Sequence, residues 1–393
     1  MLCTVSILCG MSLRREPCDD FAVGKEAVMN VARKQNISER PLIMETRLVK
    51  WNQRELDSSV APGMVRIATE TTLISPGTEL RLYRGDAMPQ QVWDSFAVLD
   101  KSTRGREAGG QPEVTMADAD RRRYPVGLGY NNVGRVVACG AGVQERNVGE
   151  RVFTIARHES VFDVEEWEAI PLPGSVASED AVFLYVATLG LHALRRGGWQ
   201  PGEWVGVIGL GVIGLATALT AYGFGGSVVL FDVARSRREL AGRLLPGVAI
   251  IDPSALSGLR EVVDVRHQRV SLVIDAAGGV PALRLAMRVV DSGGRIVLLS
   301  LHAEEVGAVF GGLFYEKELS ILGTGNDPYY LPAEARGPSI PRNIATILEL
   351  LVAGRISYAG MATDHYKAAD AAKALHDLDV QLDGAMVGVL LDW

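Results

Sequence analysis

Apolar and polar positions change rhythm along this chain. From Pro41, short apolar or alternating runs at residues 42–49 and 64–75 stand between turn residues, the pattern of strands. Residues 124–137 lead into another strand, and residues 149–153 close a hairpin of small-barrel type. Further on the rhythm becomes strand, helix, strand. Apolar runs at 205–208, 228–231, 249–251, 270–275 and 295–300 alternate with helical patterns, and 319–323 adds a last strand. That alternation predicts a parallel, doubly wound sheet. The tail predicts a helix over 343–352, a strand-like piece at 361–365, a helix over 368–378 and a strand over 385–391. Ahead of Pro41, residues 20–35 place Ala22, Val23, Ala27, Val28 and Val31 near one helical face. Residues 1–40 read as an extension, within which Met11 is a second candidate start. Residues 86–123 form a long polar stretch, read as an insertion near the mouth of a site.

The centre of the pattern is residues 205–232. A buried strand runs into Gly209-Leu210-Gly211-Val212-Ile213-Gly214, a helix pattern follows, and a second strand ends on Asp232. Strand, glycine turn, helix, strand and terminal acid together make the dinucleotide fingerprint. Gly209 allows the tight turn, Gly211 lets a pyrophosphate approach the backbone, and Gly214 lets the helix pack close to the strand. The helix N-terminus offers free N–H groups and partial positive charge to phosphates. Ala276, Ala277 and Gly278 make a small-residue exit from the fourth strand, and Ser300 ends the fifth. Both places lie at the carboxyl ends of strands, where ligands of such sheets bind. A carboxylate at Asp232 accepts hydrogen bonds from ribose hydroxyls and repels a 2′-phosphate, which favours NAD. Arg235, Arg237 and Arg238 argue for NADP, since arginine pairs with that phosphate. The expected cofactor is NAD, with NADP open.

Composition narrows the classes. The 393 residues suffice for two domains. A net charge of −7 shows no basic surplus for nucleic acid, and no apolar run is long enough to span a membrane. The first segment is a poor signal peptide, with no basic region ahead of its apolar stretch. Cys3, Cys9, Cys18 and Cys139 form no Cys-x-x-Cys spacing, so neither a disulfide framework nor a cysteine-rich zinc site is indicated. A reducing cytoplasm is the default compartment.

The order of parts, with Gly77-Thr78-Glu79, Gly129-Tyr130-Asn131-Asn132-Val133-Gly134 and Val148-Gly149-Glu150-Arg151-Val152, resembles the medium-chain dehydrogenase/reductases, the alcohol dehydrogenase superfamily. The resemblance covers residues 41–393. It implies an α/β protein in which a GroES-like β-rich catalytic domain (41–185 and 326–393) joins a Rossmann doubly wound parallel-sheet domain (186–325). It also implies a dimer or tetramer acting on a small-molecule substrate.

The departures are informative. Where zinc-dependent members carry a Cys, this chain has Pro76. Where they carry Gly-His-Glu, it has Gly129-Tyr130-Asn131, and their third ligand falls near Leu184 or Tyr185. No tetrahedral N/S site can be built from these positions, so the resemblance is to the zinc-free branch, with no metal expected. Zinc-free catalysis needs side-chain donors to polarise a carbonyl and exchange its proton. Thr78 stands where relatives place a proton-relay hydroxyl, and Tyr130 replaces a lost ligand. Glu79 is placed either to orient substrate hydroxyls or to pair with Arg81. His158 is a candidate pocket donor, with Tyr83 behind it. His365 reads as a strand-edge residue.

The expected activity is zinc-independent interconversion of a secondary alcohol and a ketone, on a polyol, cyclitol or sugar-like metabolite. The alternatives are an NADPH-linked quinone or enone reductase, and a cofactor-binding sensor or structural protein without turnover.

Overall fold

The computed structural model describes residues 37–45, 47–86, 126–255, 269–300, 311–325 and 339–393. The expected helix at 20–35, the polar stretch 87–123, and Cys3, Cys9 and Cys18 lie outside the described residues.

The chain opens with a hairpin of β1 (Ile37–Glu45) and β2 (Leu48–Glu55), paired Ile43 to Val49. Residues 42–49, expected as one strand, therefore contain a reversal. Arg47 makes it with φ of 58°, a conformation rare outside glycine, asparagine and aspartate. Ile37 lies within the stretch read as an extension.

β3 (Met64–Ile74) is nearly all buried, and α1 (Pro76–Arg84) follows at once. Proline suits the first turn of α1, where its missing N–H has no partner to lose. Gly85 ends the helix, its N–H reaching the carbonyls of Arg81 and Leu82. β4 (Val126–Gly127), β5 (Asn132–Cys139), β6 (Arg151–Thr154), β7 (Val161–Glu165) and β8 (Ile170–Pro171) build up the barrel.

The barrel leads into α2 (Leu184–Arg196), buried along most of its length. A Cβ on Gly190 would stand 2.5 Å from Thr217 Oγ1, so the crossing of α2 over the next helix requires glycine there.

The second domain runs β9 (Trp204–Ile208), α3 (Val212–Gly223), β10 (Ser227–Phe231), α4 (Arg235–Leu244), β11 (Ala249–Ile251), β12 (Val270–Asp275), α5 (Gly279–Val289), β13 (Arg295–Leu298) and β14 (Ser320–Gly323). Its strands lie in the order β11-β10-β9-β12-β13-β14, and each neighbouring pair is parallel. α3 packs into the cluster that also holds α2, while α5 packs into a second cluster with Val229, Phe231 and Val273. Helices thus cover both faces, and the order reverses beside β9, the switch point where ligands bind.

The tail contributes α6 (Ile340–Val352), β15 (Ala362–Lys367), α7 (Ala371–Val380) and β16 (Gly388–Asp392). β16 pairs antiparallel with β3, Leu390 opposite Leu73, and parallel with β15. The sheet β15-β16-β3-β5-β6-β8 is completed by residues from both ends of the chain. The fold is α/β, a GroES-like β-rich domain with a Rossmann domain between its two parts. No helix among the described residues is long and apolar enough to cross a membrane.

Candidate active site

Three glycines shape the turn after β9, and each does something different. Gly209 has φ of +88°, and a Cβ on it would lie 2.8 Å from the Ala277 backbone N. A Cβ on Gly214 would stand 1.8 Å from the Gly209 carbonyl oxygen. A Cβ on Gly211 would meet nothing within 4 Å beyond its chain neighbours. The first and third glycines close the helix onto the strand, and the second faces open space. No side chain caps α3 at Gly211, so its first N–H groups are available to an anion.

That opening belongs to a cavity of about 920 Å³ between the two domains. Gly209, Gly211, Val212, Ile213, Gly214, Asp232, Arg237, Ala276, Ala277, Gly278 and Ser300 all line it, joined by Pro76, Gly77, Met386 and Val387 of the barrel. Leu210 does not; it is buried, and its N–H donates to Asp232 Oδ2 at 2.6 Å. The residues present fit a dinucleotide: a glycine-edged approach, an uncapped helix start and a carboxylate at the adjoining strand end.

Asp232 is 6% exposed. Its other oxygen accepts the Ala234 N–H at 2.7 Å. Of the three nearby arginines, Arg235 points to solvent and pairs with Glu239. Arg238 donates to the Asp232 and Val233 carbonyls and pairs with Asp252. Arg237 alone faces the cavity, 3.8 Å from Asp232 Oδ2. Asp275, which the sequence reading passed over, is fully buried and accepts the N–H groups of Ala277 and Gly278 at 3.1 and 2.9 Å. It fixes the small-residue exit of β12.

On the barrel side, Thr78 is half-buried in the first turn of α1. Glu79 is 1% exposed. Its Oε2 accepts the Ser75 N–H at 2.6 Å, and its Oε1 lies 2.8 Å from His158 Nε2. The expected alternative, a pair with Arg81, is not formed, because positions two apart on a helix do not face each other. Arg81 lines the cavity instead.

The structure therefore brings Glu79 and His158 together inside the barrel wall, and none of Thr78, Glu79, Tyr130 and His158 lines the cavity itself. His158 Nδ1, Ser75 Oγ and both amide atoms of Asn131 are buried without a hydrogen-bond partner. Ser75 and Asn131 lie on the segments that carry Thr78 and Tyr130, and His158 lies between β6 and β7. Tyr83 is buried in a separate cluster, and burial pushes its phenol above the ordinary value. His365 sits exposed on β15, 3.3 Å from Asp392.

The positions that the resemblance matched to zinc ligands hold other side chains. Pro76 starts α1. Tyr130 and Tyr185, each 5% exposed, pack edge to face with ring centroids 5.3 Å apart. Among the described residues, no group of three or more His, Cys, Asp or Glu is placed to hold a metal ion. The donor set at these positions does not fit zinc.

No protein-family profile matches the chain. It is 26% identical over 328 residues to the L-galactonate-5-dehydrogenase of Escherichia coli K12, covering 80% of this chain and 88% of that protein. It is 28% identical over 253 residues to an uncharacterized zinc-type alcohol dehydrogenase-like protein of Haemophilus influenzae, covering 56% and 71%. In three dimensions it is similar to a short chain alcohol dehydrogenase from Escherichia coli CFT073 solved with NADH. The TM-score there is 0.68 at 21% identity, over 91% of this chain and all of the other. The fold is that of these dehydrogenases.

Proposed function

We propose that this protein is a nicotinamide-dependent oxidoreductase that interconverts a secondary alcohol and a ketone, prefers NAD(H), and works without zinc. The observation that carries the reading is the open face of Gly211 in a cavity that also receives the start of α1. A dinucleotide in the cradle and a substrate at the start of α1, where Pro76 and Gly77 line the cavity and Thr78 follows, would then be neighbours. The relative that acts on L-galactonate supports an alcohol-bearing, sugar-like substrate.

NAD, when bound, supplies the hydride acceptor or donor. The chain's residues do the rest. Gly209, Gly211 and Gly214 shape the phosphate cradle, and Asp232 presents a carboxylate at the end of β10. Thr78 and Tyr130 are assigned as hydroxyl donors that polarise the substrate oxygen and exchange its proton. Glu79, paired with His158, accepts the Ser75 N–H and so anchors the start of α1 that carries Thr78. The zinc-type relative counts against zinc independence; Pro76 and the Tyr130–Tyr185 pair count for it, since neither leaves a ligand in place.

The test is titration with NADH and NADPH, followed by turnover on a panel of ketones and secondary alcohols. Tighter NADH binding with turnover on a secondary alcohol supports the reading. Failure to bind either nucleotide sinks it, and reduction confined to activated C=C bonds assigns the protein to the enone reductases instead.

A further inference from the structure

The cavity extends past the nucleotide turn. It follows α5 from Pro281 to Arg288, about 10 Å along the helix axis. α5 starts at the carboxyl end of β12, so this run leads away from the strand ends, where a dinucleotide lies. Pro281, Arg284, Leu285 and Arg288 stand at i, i+3, i+4 and i+7, one stripe of the helix. The opposite side, with Leu283, Ala286 and Met287, is buried against the sheet.

The charge on the cavity walls is one-sided. Five arginines line it against two aspartates, Asp86 and Asp232. Two of the arginines are occupied: Arg84 by Asp379, and Arg237 by Asp232 and the Gly384 carbonyl. Asp86 lies in the field of Arg47. Arg81, Arg284 and Arg288 have no partner among the described residues. Arg284 and Arg288 are exposed and one turn apart, a like-charge spacing that destabilises a helix. Arg81 stands one turn beyond Thr78 on α1 and lines the same cavity. Three guanidinium groups without a partner among the described residues thus line the cavity, one on α1 and two along α5.

Resting on the cofactor reading above, we infer that Arg284 and Arg288, with Arg81, form a subsite for an anionic group carried by the substrate. That group is a carboxylate or a phosphate, either of which matches the guanidinium fork. The diphosphate of the dinucleotide has its own place at the start of α3 and leaves these arginines free.

The test uses the full-length protein saturated with NADH, titrated by calorimetry with D-gluconate, inorganic phosphate and uncharged sorbitol. At least one anion binds about tenfold more tightly than sorbitol, about 1.4 kcal/mol. Which anion does so separates a carboxylate from a phosphate. In the R284Q/R288Q double variant the gap closes while NADH affinity holds. Equal binding of the three probes, or a gap untouched by the double variant, overturns the subsite alone. A double variant that loses NADPH affinity but keeps the anion gap assigns the arginines to the 2′-phosphate and also overturns it. A protein that binds no NADH at all overturns the cofactor reading first.

Discussion

The rings of Tyr130 and Tyr185 meet edge to face, 5.3 Å between centroids and 70° between planes. They come from different parts of the chain, Tyr130 from the start of the β5 segment and Tyr185 from the first turn of α2. The resemblance sets Tyr130 at one zinc-ligand position of the superfamily and Leu184 or Tyr185 near another. Two large aromatic side chains fill that volume, and edge-to-face pairs add about 0.5–1.5 kcal/mol beyond their area burial. The replacement has consequences for catalysis and for stability.

On the proposed zinc-free mechanism, Tyr130→Phe and Thr78→Val should each lower turnover by about 10²–10³. Nucleotide affinity, measured by fluorescence titration, should stay unchanged. Tyr130→Phe keeps the ring and its contact with Tyr185, so the melting temperature should also hold. A change confined to KM would make these binding residues.

Gly211→Val should abolish NADH binding and leave the fold intact. A Cβ there meets nothing within 4 Å beyond its chain neighbours, so the side chain has room in the fold while it occupies the approach of the pyrophosphate. Circular dichroism and a binding titration check both halves. Gly214→Val, by contrast, should prevent proper folding, because its Cβ would lie 1.8 Å from the Gly209 carbonyl oxygen.

Asp232→Ser should narrow the preference for NADH over NADPH. It should also destabilise the protein, because the Leu210 and Ala234 N–H groups lose their acceptor. A buried donor left unpaired costs about 1–3 kcal/mol. An unmodified protein that already binds NADPH about tenfold better would assign the cofactor choice to Arg237.

Asp379 on α7 ties the tail to α1 and the first hairpin, pairing with Arg84 at 2.5 Å and Arg47 at 2.9 Å. The hydrogen bond from Arg84, aided by Arg47, holds its carboxyl below the ordinary aspartate value. A carboxylate with a depressed folded-state pKa contributes stability that is present above its unfolded pKa of about 3.9 and is lost as pH falls below that. Thermal melts of the unmodified protein and of Asp379→Asn should therefore differ near neutral pH. They should converge as pH drops below that range.

The fingerprint was legible in the sequence because its requirements are local: Gly209, Gly211 and Gly214 each answer a need set within a few residues. The parallel sheet was legible for the same reason, in apolar runs separated by helical patterns. What escaped depends on distant partners. Glu79 meets His158 across 79 positions, and no periodicity announces that pair. Asp232 reads as a ribose ligand, yet its carboxylate also braces the Leu210 and Ala234 N–H groups. The reversal at Arg47 carries no glycine or asparagine to mark it. Arg284 and Arg288 drew no notice in the sequence, because only the cavity beside α5 gives their spacing a meaning.

The central claim, metal-free oxidoreduction of a secondary alcohol or ketone with NAD(H), is tested most directly by turnover of exhaustively chelated protein whose metal content has been measured. The prediction is full NAD-linked activity at substoichiometric zinc. Activity that disappears on chelation and returns with added zinc would contradict it.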